Sequence, residues 1–361
     1  MGKKKILYIM HLDWRWIKQR PHFIAEELSD FYDVTVVHFC SKQYIFHNSD
    51  NLTKNEMNLK LLPAFRLPFY QNRFIYLLNK VYMKIYFKIL IEKYNPDFIW
   101  ITFPQLYDYI PSNNRCKIIY DCMDEATGFD FQKNLHSKIL EVEKKLVNDA
   151  SIIFASSNYL CKNLNKNYGC KDKLAVIRNA FNGKIIDNDV TDSKNREIFK
   201  IGYVGTIGES IDFNKIKTTL YNINNIEYHF IGPYVLEKEI KHSKIKFYGV
   251  IKHEELYDYV KDFDCLIMPF KLNKLVKSVD PIKLYEYINY NKPIISVYYN
   301  ELDYFSQFIS FYSNIGELIN LLKQTIKDNF IKYPNSQRVK FLESNSWDVR
   351  AGKIRRYLNK L

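Results

Sequence analysis

Three features are missing from this sequence of 361 residues, and each absence excludes a class of protein. The six cysteines form no CxxC pair, which argues against a zinc module or a disulfide framework and favours thiols in a reducing compartment. No uncharged apolar run approaches the roughly 20 residues that a spanning helix needs. The apolar run near the first residues is too short for the core of a signal peptide. We therefore expect a cytoplasmic protein.

Acidic residues are also in deficit, since 40 Asp and Glu face 53 Lys and Arg and the formal net charge is +13. Such a balance favours an anionic partner: nucleic acid, a phosphate-bearing small molecule or an anionic membrane surface. The sequence shows no recognisable nucleic-acid-binding module. We therefore expect no nucleic acid among the partners.

Short apolar runs alternate with helical patterns along the chain, which is typical of an open, mostly parallel α/β sheet. A polar stretch interrupts this alternation, which then restarts with "FKIGYVGTI". The sequence predicts two Rossmann-like domains facing each other across a cleft, with ligands at the carboxyl ends of the strands. The predicted parts are an N-terminal domain 1–181, a linker 182–197, a second domain 198–335 and a closing helix 336–361.

The first candidate phosphate site is "GYVGTIGES", which places Gly202, Gly205 and Gly208 between a strand and a helix. Glycines let the backbone approach a phosphate closely, and the start of a helix offers unpaired N–H groups. A tight turn without any ligand explains the same glycines equally well.

The second candidate is "SVDPIKLYEYI", where Asp280 suits a helix N-cap and Pro281 the first helical position. The amides of the next two residues would then point out of the helix start toward a phosphate. Glu286 follows one turn later and could reach hydroxyl groups of the same ligand, as an acidic residue does in Rossmann sites. A capped surface helix with a solvated Glu286 is the alternative interpretation.

Several motifs in order resemble the GT-B glycosyltransferases, in particular the large retaining family (glycosyltransferase family 4-like) of bacterial polysaccharide biosynthesis. "VDPIKLYEYINYNKPII" is similar to the donor-site signature of that family, and "WRWIKQRPHFIAEEL" to its N-terminal loop and helix. "IIYDCMDE", "VIRNAFN" and "FYGVIKHEELYDYVKDFDCLIMPF" match further motifs in order and spacing. The likeness covers nearly the whole chain. It departs at Ser278, where the family often has Glu, at Met123, where it has His, and in the glycine loop, which carries no cation.

The resemblance implies a GT-B fold and transfer of a sugar from a nucleotide-sugar, UDP most often, which is a substrate and not a cofactor. No metal ion is expected. Carboxylates near the anomeric carbon suit an oxocarbenium-like transition state; the catalytic candidates are Asp13, Asp121 and Asp124. The candidates for acceptor binding are His11, Trp14, Arg20 and His22. The candidates for donor binding are Gly205, Thr206, Val250, Ile251, Lys274, Lys277, Asp280, Pro281, Ile282, Lys283 and Glu286.

Two other functions stay open at this point. A sugar-nucleotide 2-epimerase of the GT-B fold would also bind a nucleotide-sugar but needs no separate acceptor. A non-catalytic GT-B-like partner subunit would suit the departures from the family motifs.

The segment 73–94 has the pattern of an interfacial helix, because Lys80, Lys84 and Lys88 recur every four residues and tyrosines lie between them. An ordinary α/β crossover helix with solvated lysines is the alternative. Since polymer-building members of the family often use lipid-linked acceptors, we expect a peripheral contact with the inner face of an anionic membrane.

Overall fold

The computed structural model describes residues 2–40, 59–69, 72–128, 135–186, 197–328 and 331–361. The chain divides into two compact units. Unit 1 contains Met1–Asn179 together with Trp347–Leu361, and unit 2 contains Ala180–Ser346. Most of the predicted linker, residues 187–196, lies outside the described residues.

Unit 1 is built on a parallel sheet whose described strands follow the order β3-β2-β1-β4-β5-β6-β7. These strands are short apolar runs with mostly buried residues, as expected of a sheet covered on both faces. The order reverses between β1 and β4, which is the switch point where such sheets bind ligands. The strands are β1 (Lys5–Met10), β2 (Asp33–Phe39), β3 (Leu59–Ala64), β4 (Phe98–Ile101), β5 (Lys117–Cys122), β6 (Ala150–Ala155) and β7 (Leu174–Val176).

Unit 2 repeats this architecture with the order β10-β9-β8-β11-β12-β13 among its described strands, again all parallel. Its switch point lies between β8 and β11. The strands are β8 (Phe199–Val204), β9 (Ile226–Ile231), β10 (Ile245–Phe247), β11 (Cys265–Met268), β12 (Ile294–Val297) and β13 (Ile309–Tyr312). The predicted α/β fold with two Rossmann-like domains is therefore confirmed as far as the two sheets are concerned.

Helices cover both sheets. None of the described helices combines the length and the hydrophobicity that crossing a bilayer requires. In unit 1 they are α1 (Arg20–Ser29), α2 (Arg73–Tyr94), α3 (Pro104–Tyr107), α4 (His136–Asp149) and α5 (Asn158–Tyr168). In unit 2 they are α6 (Phe213–Asn222), α7 (Leu256–Val260), α8 (Lys274–Ser278), α9 (Ile282–Asn289), α10 (Ile315–Asp328) and α11 (Asn335–Ser344), after which the chain returns to unit 1 with α12 (Trp347–Leu358).

Two local predictions need correction. The single closing helix expected over 336–361 is two helices, α11 and α12, which belong to different units. Asp280 does not cap α9: Pro281 holds the N-cap position and makes no side-chain cap bond. Asp280 is instead fully buried and accepts a hydrogen bond from the hydroxyl of Tyr285, because one turn of helix brings that side chain back over it.

Helix α12 completes the hydrophobic packing of unit 1. The ring of Trp347 stacks on Phe23 of α1 at 5.1 Å between centroids. Arg350 is buried, and its Nε donates to the backbone carbonyls of Arg178 and Asn179 at 3.2 Å each. Helix α12 therefore packs against α1 and binds the backbone at residues 178–179, where the first chain segment of unit 1 ends.

Candidate functional site

The carboxyl end of β8 turns sharply at Gly205, which has a φ of 139° that side chains rarely allow. Its amide donates to the carbonyl of Ile231, at the end of neighbouring β9, at 2.8 Å. Gly232 follows with a φ of 137°, and a Cβ there would overlap the carbonyl group of Gly205. Both glycines are thus required for the two strand ends to come together, and the turn leaves bare backbone at this edge of the sheet.

Lys283 of α9 places its ammonium group over this turn. The Nζ atom donates to the hydroxyl of Tyr203 at 2.8 Å and lies 4.5 Å from the centroid of the Tyr203 ring and 5.2 Å from that of Phe270. A Cβ at Gly205 would collide with Nζ. The hydroxyl of Tyr203 in turn donates to the carbonyl of Thr206 at 3.0 Å. A cation therefore sits at a glycine loop that has none of its own.

The start of α9 is held against the end of β8 by Tyr287. This buried residue accepts a hydrogen bond from the amide of Val204 at 2.8 Å, and its hydroxyl donates to the carbonyl of the same residue at 3.3 Å. Ile282 and Lys283 are the first two residues of α9, and the backbone N–H groups at a helix start have no acceptor within the helix. Helix α9 and the glycine turn thus bring backbone N–H groups and one ammonium group to the carboxyl end of β8, an arrangement that suits a phosphate.

Glu286 lies one turn further along α9 and is partly exposed. Its Oε1 is 3.4 Å from Nε2 of His253, whose side chain is 59% exposed. The hydrogen bond to Glu286 is the main cause that raises the pKa of His253 above its ordinary value. The sequence analysis did not single out His253, because a lone histidine in a polar turn carries no pattern that points to a partner 33 positions away.

The other predicted donor residues occupy different surroundings. Val250 is 69% exposed and Ile251 is partly buried, both just after the Gly249 turn that follows β10. The exposed residues Lys274 and Lys277 lie on the short helix α8.

In unit 1, Arg20 and Asp121 form a buried ion pair. The Arg20 Nη2 lies 2.7 Å from Oδ1 of Asp121, and both side chains are almost completely buried. The Nη1 of Arg20 also donates to the carbonyl of Ile177 at 2.6 Å. These contacts join α1, β5 and the chain after β7. They do not support Asp121 as a base or Arg20 as an acceptor ligand, since each is buried against the other.

His11 and His22, the two histidines predicted to bind the acceptor, are neutral at pH 7. Burial lowers the pKa of His11 to about 3 and that of His22 to about 4. The Nδ1 of His11 is 3.0 Å from the hydroxyl of Thr102. The Nδ1 of His22 accepts the amide of Gln19 and so completes a capping box at the start of α1. Trp14 is buried with its ring 4.9 Å from that of His22, so this residue supports the loop from inside.

Of the predicted catalytic carboxylates, Asp124 lies beyond the end of β5 as a partly exposed residue, and desolvation of its carboxyl group raises its pKa to about 6. Asp13 is held by Arg15, with Nη2 at 2.8 Å from Oδ2 and Nε at 3.0 Å from Oδ1. Asp13, His38 and Cys40 bring possible metal-ligand atoms within 4.8 Å of one another. The positive charge of the Arg15 guanidinium group, which is bound to Asp13, disfavours a metal ion at this cluster.

The sequence also contains two DxD triplets, a spacing that often serves metal ions in enzymes that use nucleotide-sugars. One, at 187–189, lies outside the described residues. The other is 262–264, directly before β11, where Asp264 is buried and accepts the amide of Lys200 at 2.7 Å. This second triplet lies at the amino end of its strand, whereas the glycine turn lies at the carboxyl end of β8. We therefore assign this triplet a structural role, in which Asp264 holds the start of β8 beside β11.

Comparison with known structures identifies the architecture as the GT-B fold, as the sequence motifs implied. Sucrose-phosphate synthase from Thermosynechococcus elongatus superposes with a TM-score of 0.78 at 13% identity, over 99% of each chain. HepE from Anabaena, solved in complex with UDP and glucose, gives a TM-score of 0.68 at 14% identity, over 99% of this chain and 100% of that one. At these identities the likeness establishes the fold.

Among curated proteins, the chain is similar to TuaH of Bacillus subtilis, which is named as a teichuronic acid biosynthesis glycosyltransferase. The two are 24% identical in an alignment of 215 positions that covers 55% of this chain. The match spans about half the length of that relative, 54%. No protein-family model matches the chain.

Proposed function

We propose that this protein is a glycosyltransferase that moves a sugar from a UDP-sugar to a saccharide or lipid-linked saccharide in the synthesis of a cell-surface polysaccharide. It would work in the cytoplasm at the inner face of the membrane. The observation that carries the proposal is the position of the Lys283 ammonium group over the Gly205 turn, beside the open start of α9. A diphosphate needs bare backbone, N–H donors and positive charge together, and these residues supply all three.

In this proposal the diphosphate of the donor binds between the turn at Gly205 and Thr206 and the amides of Ile282 and Lys283. Departure of a nucleoside diphosphate builds negative charge on the leaving group, and fixed donors stabilise that charge without reorganising. Lys283 would supply the neutralisation that a metal ion supplies in other enzymes, so the reaction is proposed to be metal-independent, with no cofactor. The exposed Lys274 and Lys277 on α8 would add to the positive field.

Glu286 would accept hydrogen bonds from the ribose hydroxyls, and the exposed Val250 with the partly buried Ile251 would flank the base. A partly exposed carboxylate one helical turn beyond the phosphate-binding amides suits this task. Because His253 already contacts Glu286, the nucleoside would replace or share this contact on binding.

For the acceptor side, Asp124 is the carboxylate that we retain as general base or acceptor anchor. A pKa of about 6 suits a group that must accept a proton near neutral pH. Retention of configuration is part of the proposal and follows the resemblance to the retaining family. The UDP complex of HepE and the name of TuaH support a uridine donor and a polysaccharide product.

The test has two stages. Isothermal titration with UDP, GDP, ADP and UMP should show tightest binding of UDP, with UMP weaker because it lacks the second phosphate. Incubation with UDP-glucose, UDP-galactose or UDP-N-acetylglucosamine and saccharide acceptors, followed by mass spectrometry, should then show a transferred sugar. Absence of binding to every nucleotide would favour a non-catalytic partner subunit, whereas release of UDP without any glycosylated acceptor would favour an epimerase.

A further inference from the structure

Helix α2 has two apolar faces, of which only one is used by the core of unit 1. The buried face contains Tyr76, Asn79, Met83, Phe87 and Leu90. The opposite face is equally hydrophobic but exposed, with 44% to 69% of each side chain accessible. The residues of this outer stripe are Phe74, Leu78, Val81, Ile85 and Ile89.

The outer stripe is continuous. Its members follow one another at steps of three or four residues, so they line one side of the helix over roughly 22 Å. A surface helix of a globular protein ordinarily has charged and polar residues on this side. Exposed apolar patches of this kind mark an interaction surface.

A second exposed apolar segment is fixed beside α2. Asn79 holds it, because its Oδ1 accepts the amide of Leu67 at 2.8 Å and its Nδ2 donates to the carbonyl of the same residue at 3.2 Å. Leu67 is 47% exposed and Phe69 is 75% exposed. Phe69 has a φ of 58°, a costly conformation for an aromatic residue. The carbonyl of Phe69 also accepts the amide of Asn72 at 2.8 Å, so this exposed ring lies beside the start of α2.

Positive charge borders the stripe along one side. Lys84 and Lys88 lie on this flank, with Arg73 at the start of the helix. Lys88 is 3.9 Å from the carboxylate of Glu92, a loose and exposed contact that leaves its charge accessible. Lys80, which the sequence analysis grouped with these lysines, is instead paired with Asp108 at 2.7 Å. The positive flank therefore favours an anionic partner. A second copy of this chain is disfavoured, because its own positive flank would repel this one.

We propose that the outer stripe of α2 and the ring of Phe69 insert into the headgroup layer of an anionic lipid bilayer, with Lys84, Lys88 and Arg73 contacting lipid phosphates. Apolar side chains supply the insertion, and the long basic side chains reach the headgroups. The proposal does not rest on the donor site, because vesicle binding requires no nucleotide.

The test is co-sedimentation of the full chain with vesicles of phosphatidylcholine, alone or mixed with phosphatidylglycerol, at low and moderate salt. The stripe variant Leu78→Gln/Val81→Gln/Ile85→Gln should lower the partition coefficient on the mixed vesicles by about tenfold or more, since three apolar side chains no longer leave water. The matched control is Leu140→Gln/Tyr221→Gln/Val235→Gln, which changes exposed apolar residues elsewhere and should bind like the unaltered protein.

The charge variant Lys84→Gln/Lys88→Gln should lose roughly 25-fold on mixed vesicles, at about fivefold for each lysine, and nothing on neutral ones. Its control, Lys217→Gln/Lys323→Gln, removes two exposed lysines from unit 2. The proposal is overturned if the unaltered protein stays in the supernatant with mixed vesicles at low salt. It is also overturned if the stripe variant pellets as well as the unaltered protein. A dimer that the stripe variant converts to a monomer would assign the stripe to a second copy instead.

Discussion

Replacing Lys283 with Met should weaken UDP binding while leaving the fold intact. Met keeps an unbranched side chain that can lie between the rings of Tyr203 and Phe270, so the packing over the glycine turn survives. What disappears is the ammonium group, which donates to the Tyr203 hydroxyl at 2.8 Å. We expect the melting temperature of the free protein to change little.

The magnitude follows from what the ammonium group contacts in each state. The contacts of the ammonium group with the two rings, at 4.5 and 5.2 Å, exist in the free protein. Lys283→Met removes them equally from the free protein and from the UDP complex, so they do not change the affinity. The difference on binding is one charge-assisted hydrogen bond to a diphosphate oxygen, about 1.5–3 kcal/mol. Since 1.4 kcal/mol is tenfold, Lys283→Met should bind UDP roughly 10- to 100-fold more weakly.

Isothermal titration with UDP and with uridine measures this effect. The loss should appear with UDP and be absent with uridine, which has no phosphate. Lys323→Met is the matched control, since it removes the same charge from an exposed position on α10. Unchanged UDP affinity in Lys283→Met, or an equal loss for uridine, would refute the assignment of this lysine to the diphosphate.

Three further predictions concern the surroundings of the site. Glu286→Ala should weaken UDP binding about tenfold or more without unfolding the protein, and the loss should vanish with 2′,3′-dideoxy-UDP. His253→Gln should lower the melting temperature near pH 6 and not near pH 9: Glu286 raises the pKa of His253, so the stabilisation is complete below the ordinary pKa of 6.5 and is lost as the pH rises through the raised one. Arg20→Met should reduce the free energy of unfolding by about 3–5 kcal/mol in denaturant titrations because Asp121 remains buried without its partner, and Arg20→Met/Asp121→Leu should recover part of that loss.

Each of these has a distinct contrary result. An equal loss of UDP and dideoxy-UDP affinity in Glu286→Ala would show that Glu286 does not bind the ribose hydroxyls. A pH-independent effect of His253→Gln would show that its bond to Glu286 does not depend on protonation. A double variant of Arg20 and Asp121 that is less stable than Arg20→Met alone would mean that the pair is not the main contribution of these residues.

The sheet strands and the fold class could be predicted from the sequence because buried parallel strands are local signals. Runs such as "KKILYIMH" and "FKIGYVGTI" are apolar, short and bounded by polar residues, and they form β1 and β8. The helical pattern over 73–94 corresponds to α2, which begins after Asn72, whose side chain accepts the amide of Phe74. The sequence pattern does not predict the strand β13 or the helix α5, since β13 is only half buried and contains Ser310 and α5 is rich in Asn and Lys.

The site was only partly predictable, because its decisive contacts join distant residues. Lys283 was one of three candidate lysines, and only the packing of α9 against β8 shows that it reaches the Gly205 turn. In the same way, Asp121 has the pattern of a strand-end functional carboxylate. Nothing in the spacing of 101 positions indicates that Arg20 neutralises it inside unit 1.

The return of the chain to unit 1 through α12 affects how the protein is made. Unit 1 is not contiguous in sequence, so a nascent chain that has released residues 1–179 from the ribosome still lacks the stacking of Trp347 on Phe23. All of unit 2 must be synthesised before that contact forms, and until then the outer side of α1 is uncovered. A polypeptide truncated anywhere in unit 2 therefore lacks α12 and leaves the hydrophobic packing of unit 1 incomplete.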